Sequence, residues 1–254
     1  MKTLRNILQR RFFLAALPAA LAFASCGDDN DSAAPAPDQG RVIFAHEAAS
    51  STGSVKFVAN DNKEVASQAF GTSSSYAAVN AGSQTIKIND ATSGSTVGTQ
   101  TVTIDKDKNY SVFAYSPSAT LGSLASLAVN DDLTAPNTGK AKIRLVHLGV
   151  GSPNAVSLSL PNATVGTSDI ITNVAFGTAS TFTEITPGPY NLAVSIGSGA
   201  TATIEASVGD GTGSNTATTK TYAAGKIYTV VLRGVKSNSI PDAQRLKAVI
   251  IEHN

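Results

Sequence analysis

Residues able to do chemistry are sparse in this chain of 254 residues: three histidines, one cysteine and no tryptophan. His46 and His147 close two similar runs, Val42-Ile43-Phe44-Ala45-His46 and Ile143-Arg144-Leu145-Val146-His147. Residues two apart on a strand share a face. Each imidazole therefore shares the face of apolar neighbours and is expected to point inward near a strand end. There it should hydrogen-bond a loop carbonyl and hold the following turn. A zinc site needs several convergent ligands. His253 is the third histidine and the lone Cys26 has another use, so no metal site is expected.

Nucleophilic catalysis needs Ser or Thr beside a positioned base. Hydroxyls abound, but no Gly-x-Ser-x-Gly elbow joins a strand to a helix. Asp105-Lys106-Asp107-Lys108-Asn109 opens like a calcium loop. Tyr110 then takes the place of the required Gly and Ser116 that of the closing Glu, so the stretch reads as a hairpin turn. Asp131, Asp132 and Asp210 could join loop carbonyls around Ca²⁺, the less favoured reading. Glycosidase carboxylates are defined by their separation in space, and Glu47, Glu64, Glu184, Glu205 and Glu252 are the only glutamates. The inventory points to no enzyme and no cofactor.

The elements that carry these residues occur twice. Ala69-Phe70-Gly71-Thr72-Ser73-Ser74-Ser75-Tyr76 returns as Ala175-Phe176-Gly177-Thr178-Ala179-Ser180-Thr181-Phe182, an offset of 106. The histidine runs lie 101 apart, Lys108-Asn109-Tyr110-Ser111-Val112-Phe113 and Lys226-Ile227-Tyr228-Thr229-Val230-Val231 lie 118 apart, and Ala128-Val129 matches Ala248-Val249 at 120. Offsets that grow only between anchors mean loop insertions between two copies of one module. Phe70, Tyr76, Phe176 and Phe182 read as core aromatics flanking a Gly-Thr turn, since sugar-stacking platforms favour exposed Trp or Tyr.

Alternation of apolar residues at period two marks strands in both copies. In residues 40–134 these are Val42 to Phe44, Val55 to Phe57, Val65 onward, Tyr76 to Val79, Ile86 to Ile88, Val102 to Ile104, Tyr110 to Tyr115, and a closing strand ending near Val129. In residues 140–254 they are Lys142 to His147, Val156 to Leu160, Leu192 to Ile196, and two continuous apolar runs, Ile227 to Leu232 and Ala248 to Ile251, which read as central in a sheet. Asp210-Gly211-Thr212-Gly213-Ser214-Asn215 reads as a long hairpin insertion, and Pro189 as a strand start or edge. The fold class expected is all-β: two tandem antiparallel sandwiches of immunoglobulin-like architecture, joined by residues 135–139. That joint is short, so the modules should be restricted in relative orientation.

Composition agrees: 42% hydrophobic and only 15% charged, more like a secreted β protein than a cytosolic helical one. The formal charge of +1 includes Lys2, Arg5, Arg10 and Arg11, which precede Cys26 with no acid among them. Beyond Cys26 stand 15 basic and 18 acidic side chains, about −3, which does not suit nucleic acid or anionic lipid.

Residues 1–25 read as an export signal. A basic start is followed by Phe12 to Phe23, too short to span a bilayer, then by Ala24 and Ser25 before Cys26. This resembles a bacterial lipoprotein signal, with Phe23 where Leu is usual, and implies lipidation of Cys26. Arg10-Arg11-Phe12-Phe13-Leu14 also resembles a twin-arginine motif without its flanking Ser or Lys, and ordinary secretion is the preferred route. Residues 26–39 form an acidic, Pro/Ala-rich spacer with no apolar face. Asp28-Asp29-Asn30-Asp31 beside the cysteine resembles the surface-export signal of Bacteroidota lipoproteins.

Each module resembles the bacterial family called domain of unknown function 4397 (DUF4397). In module two the features are Ile143 to His147, Ser152-Pro153-Asn154-Ala155, Phe176 to Phe182, and Lys226 to Val230. Module one has His46, Phe70 to Tyr76 and Lys108 to Val112, with Ser50-Ser51-Thr52-Gly53 in place of the Ser-Pro turn. The resemblance implies a β-sandwich and extracytoplasmic life, and no activity. Two functions follow as expectations. One is a non-catalytic protein held by lipid on Cys26 in the cell envelope, at the outer membrane on either its periplasmic or its external leaflet, with a structural, adhesive or ligand-binding role. The other is an accessory glycan-binding lipoprotein of a polysaccharide uptake system.

Overall fold

The structure is a computed structural model that describes residues 36–60, 63–120, 122, 124–162, 166–197 and 199–254. Residues 1–35, on which the expected export signal, the expected lipidation of Cys26 and most of the spacer fall, lie outside the described residues. Pro37–Asn254 forms one compact unit.

Its first half carries β1 (Gln39–Glu47), β2 (Val55–Ala59), β3 (Lys63–Gln68), β4 (Thr72–Ser73), β5 (Ala77–Asn80), β6 (Gly82–Asp90), β7 (Thr96–Ile104), β8 (Asn109–Tyr115) and β9 (Ala125–Asn130). One sheet runs β4-β1-β8-β9, with β5 also on β1; the facing sheet runs β3-β2-β6-β7. Val42, Phe44 and Val112 from one sheet meet Phe57, Ile86 and Ile88 from the other in a dry core. On β7 the alternation is plain: Thr99, Thr101 and Thr103 are exposed, while Ile104 is buried.

The second half repeats the plan with β10 (Ala141–His147), β11 (Ala155–Asn162), β12 (Gly166–Ala175), β13 (Thr178–Ala179), β14 (Thr183–Ile185), β15 (Gly188–Tyr190), β16 (Ala193–Ile196), β17 (Thr203–Ser207), β18 (Lys220–Tyr222), β19 (Ile227–Arg233) and β20 (Lys247–Glu252). One sheet runs β13-β10-β19-β20, with β14 also on β10; the facing sheet runs β12-β11-β16-β17, and β15 pairs with β18. Pro189 sits in that short two-stranded piece. Ile143, Leu145, Leu158, Val194, Val230 and Leu232 centre the core.

The all-β sandwich reading stands, with one departure in each half. β1 pairs with β8 in parallel, and β10 with β19 in parallel. A parallel pair needs a long crossover, and here the whole facing sheet lies between the paired strands in sequence. For the same reason two expected hairpins are corrected. The Asp105–Asn109 turn joins β7 to β8, which lie in different sheets, and Asp210–Asn215 lies between β17 and β18, which do not pair. In each half a tyrosine pins the entry to the parallel strand. Tyr110 OH accepts from Asp105 N at 3.1 Å, and Tyr228 OH accepts from Ala223 N at 3.1 Å.

The register also corrects the last repeat anchor. Val112 pairs with Ala128 and Val230 with Ile250, so the true offset there is 122. A slip of two keeps every side chain on the same face, so pattern matching cannot detect it.

β19 is central, but β20 ends its sheet. Its apolar run has a different cause. Val249 and Ile251 join Ile43, Ala45, Phe113, Val146, Leu148 and Val231 in a third core. This core draws on both halves, because β1 and β8 and their counterparts β10 and β19 bury both faces. Each fully buried aliphatic side chain contributes about 1.5–3 kcal/mol over exposure, so the two modules stand as one body. The turn Gly211–Gly213 covers the free edge of β20, with Ile250 N donating to Gly211 O at 2.9 Å.

Candidate functional site

The candidate groups gather where the modules meet. His46 and His147 are fully buried at the ends of β1 and β10. Nε2 of His46 lies 2.9 Å from Gly53 O, and Nε2 of His147 lies 3.0 Å from Pro153 O. A carbonyl only accepts, so both rings carry their proton on Nε2. Nδ1 of His147 in turn accepts from Gly149 N at 3.3 Å. Burial holds both imidazoles below their ordinary range, and so neutral. The loop after β1 lacks the Ser-Pro turn yet offers its carbonyl in the same place. Each histidine ties down a turn, as the strand parity predicts.

The four repeat aromatics depart from expectation. They are half-buried, outside the sandwich cores, and flank the module junction. Phe70 lies under Arg233 of the other module, with the guanidinium carbon 4.8 Å from the ring centroid. Phe176 meets Tyr115 of the other module edge-on at 5.9 Å. Phe182 lies under Arg144 at 4.6 Å, and Tyr76 under Arg41 at 5.4 Å. Arg233 and Tyr115 are counterparts, the last residues of β19 and β8. Each module therefore presses its Phe-Gly turn onto the end of the other module's parallel strand.

The glycines of these turns are needed twice over. Gly71 and Gly177 have φ of 78° and 73°, where a Cβ costs about 1–2 kcal/mol. A Cβ on Gly71 would lie 2.9 Å from Arg233 Nη2, and one on Gly177 3.1 Å from Tyr115 OH. Gly71→Ala and Gly177→Ala should each lower stability by about 1–2 kcal/mol, and should add in the double variant. Thermal unfolding checks this; a loss of only a few tenths would show that the turns are not wedged.

Between the turns lies a closed polar ring. Arg144 on β10 pairs with Asp131, Nη2 to Oδ1 at 2.6 Å, with side-chain exposures of 1% and 0%. Its Nε donates to Thr229 Oγ1 at 2.8 Å and its Nη1 to Asn130 O at 3.1 Å. Asp131 Oδ2 accepts from Ser111 Oγ at 2.8 Å and from Tyr76 OH at 2.7 Å. Tyr76 OH and Thr229 Oγ1 also flank His253, 2.8 Å from Nδ1 and 2.7 Å from Nε2. The proton positions follow. The single proton of Tyr76 goes to the carboxylate, so Nδ1 of His253 must donate to the phenol oxygen. Nε2 then accepts from Thr229, whose lone pair takes the Arg144 Nε–H. The arrangement suits a neutral His253, whose pKa burial pulls down to about 4.

A second buried pair sits at the far end of the junction. Arg233 Nε lies 3.0 Å from Glu47 Oε2, within ion-pair range. The angle does not make a hydrogen bond, and Glu47 Oε2 and Arg233 Nε and Nη1 lack hydrogen-bond partners among the described residues. Burial pushes the Glu47 carboxyl up to about 7, against the pull of Arg233.

The remaining candidates are spread out. Asp132 caps Thr134 and Asp210 caps Thr212, each accepting from a backbone N–H two residues on. Asp131, offered above as a Ca²⁺ ligand, is enclosed by the Arg144 pair. Among the described residues no three His, Cys, Asp or Glu converge as metal ligands. Glu64 pairs with Lys56, Glu252 with Lys226 and Glu205 with Lys236, while Glu184 accepts from Asn137. Ser152 Oγ donates to Glu205 at 2.7 Å. Sequence reasoning missed the Arg144 ring. Its one signal was a lone Arg in an apolar strand.

Fold and site together define a tandem β-sandwich protein whose modules share a buried, polar-centred junction. The expected resemblance is found over part of the chain: a family model described as domain of unknown function (DUF4397) matches residues 42–161 in one stretch, from β1 through β11 and across the expected joint. No curated protein matches the chain. Among solved structures, a leucine-rich repeat protein from Bacteroides thetaiotaomicron VPI-5482 aligns at 13% identity and TM-score 0.19, over 76% of this chain and 26% of that one. The chain thus spans about a quarter of that protein's length. The C-terminally truncated tip fimbrial protein Mfa3 from Porphyromonas gingivalis aligns at 10% identity and TM-score 0.24, over 85% of this chain and 99% of that one.

Proposed function

We propose that this is a non-catalytic lipoprotein of the bacterial cell envelope, anchored through Cys26 and facing outward from the outer membrane, with a structural, adhesive or ligand-binding role. One observation carries the non-catalytic part. The buried titratable groups His46, His147, His253, Glu47 and Asp131 are spent on loops and on the junction between modules. They hold the body together instead of converging on a cleft. The anchor rests on the signal-like residues 1–25 and the cysteine that follows. The glycan-binding alternative calls for an exposed aromatic row. Every described Phe and Tyr is buried or half-buried, so the first reading is preferred.

Metabolic labelling with an alkyne fatty acid tests the anchor. The wild-type chain should be labelled, and protease added to intact cells should digest it. Cys26→Ser should lose the label and leave the membrane fraction. Equal labelling of both, or a wild-type chain shielded from protease, would overturn the anchor or the outward location respectively.

A further inference from the structure

One corner of the sandwich is packed in module two and open in module one. In module two Leu160, Ile170, Ile185 and Tyr190 fill it against the core, and the Tyr190 hydroxyl donates to Thr186 O at 2.9 Å. Strand register identifies their counterparts. Phe57 pairs with Ala66 and Ile88, as Leu158 pairs with Ile171 and Val194. Gly40 pairs with Val79, as Ala141 pairs with Ile185. Counted from these pairs, and from Gly82 and Gly188, the four places in module one belong to Ala59, Val65, Val79 and Gln84. Each is smaller than its duplicate, and one aromatic ring has become an amide.

The result is a pocket of about 90 Å³ lined by these four residues with Lys63 and Asn80, both exposed. Gln84 shares the inward face of Ile86 and Ile88 and is 6% exposed. Its amide lines the pocket and has no hydrogen-bond partner among the described residues, although buried amides are normally bonded. Asn80 Oδ1 accepts from Gln39 Nε2 at 3.1 Å, which leaves the Asn80 Nδ2 donors unused among the described residues. No described acid lines the pocket. Glu64, between Lys63 and Val65, takes the other face of β3 and pairs with Lys56 at 2.9 Å, and Asp38 pairs with Lys106 at 2.8 Å. Apolar walls, unused donors and no acid suit a guest with a short hydrocarbon body and an anionic head. An apolar cavity of about 150 Å³ holds benzene, so this one takes roughly four heavy atoms, with room for more at its open mouth.

We propose that this corner of module one binds a small aliphatic carboxylate, its carbons against Val65 and Val79 and its carboxylate accepting from the Gln84 amide and Lys63. The guest takes the space that module two fills with its own larger side chains. The proposal deepens the ligand-binding part of the reading above. Its test uses the soluble body, so failure here leaves the lipid anchor and the outward location standing.

The probe is butyrate, titrated at constant ionic strength into isotope-labelled residues 37–254 while backbone and side-chain amide shifts are followed. Saturable shifts are expected at Val65, Val79 and the Gln84 side-chain amide, with a Kd in the millimolar range that so small a ligand allows. Lys63→Ala, an exposed position that the fold tolerates, should weaken butyrate about threefold to fivefold, as loss of one exposed ion pair does. Butyramide, the neutral match, should bind the wild type more weakly than butyrate and be indifferent to Lys63→Ala. Ala59→Leu with Val65→Ile copies the packing of module two and should abolish the shifts without lowering the thermal midpoint. No saturable shift at tens of millimolar butyrate, or butyrate binding indifferent to Lys63→Ala, would overturn the proposal. Shifts that persist in the folded Ala59→Leu, Val65→Ile variant, or butyramide binding as tightly as butyrate, would also overturn it.

Discussion

Arg144→Ala is expected to destabilise the body formed by residues 37–254 by about 3–5 kcal/mol, read as a fall in the urea midpoint with an unchanged slope. The size follows from what the change leaves behind. Asp131 stays buried with no cation, and Asn130 O and Thr229 Oγ1 each lose a donor. Breaking a buried pair strands a charge, whereas replacing the whole pair with apolar groups often costs little. The double variant Arg144→Met with Asp131→Leu should therefore recover most of the loss. The exposed pair Lys56–Glu64, at 42% and 45% exposure, is the control and should cost at most about 1 kcal/mol. A loss from Arg144→Ala no larger than the control's would show that the ring is open to water.

The second expected result is a hidden pH dependence, exposed by two single variants. His253 has its pKa lowered from 6.5 to about 4 by burial, and Glu47 has its pKa raised from 4.5 to about 7 by burial. Between about pH 4.5 and 6.5 the unfolded chain carries a proton on His253 and none on Glu47. The folded chain carries one on Glu47 and none on His253. The counts match, so these two groups together give stability almost no slope there. Glu47→Gln removes one side of the balance. The unfolded state then binds the extra proton, and stability should fall as pH drops from 6.5 to 4, by roughly 3 kcal/mol. His46 and His147, also lowered, act in the same direction. His253→Asn leaves Glu47 exposed to view. Its contribution is present below pH 4.5 and lost as pH rises to 7, and His46 and His147 still oppose it, so stability should drop toward neutral pH relative to the wild-type profile. Urea unfolding at half-unit pH intervals checks both signs. Parallel profiles for the two variants would sink this account.

Much of the fold was legible because strand alternation is local. Val42 and Phe44, Ile86 and Ile88, or Leu158 and Leu160 declare a face within a few residues. The inward histidines follow from parity alone, which is why their loop carbonyls could be anticipated without coordinates. β12 was not anticipated, since its start, Thr167-Ser168-Asp169, carries no apolar period. The strands β1, β10, β19 and β20 were recognised, but not what covers their second faces. An unbroken apolar run says only that both faces are dry. It reads the same for a strand central in a sheet and for one pressed against another module.

The chain by itself determined its strands, its duplication, the inward histidines and the glycine turns, because each depends on neighbours within a few residues or on copies that can be aligned. Only the tertiary structure decided the parallel pairs, the third core and the meeting of Tyr76 with His253. Those partners stand 177 positions apart, and no local pattern encodes which distant polar groups will share a buried space.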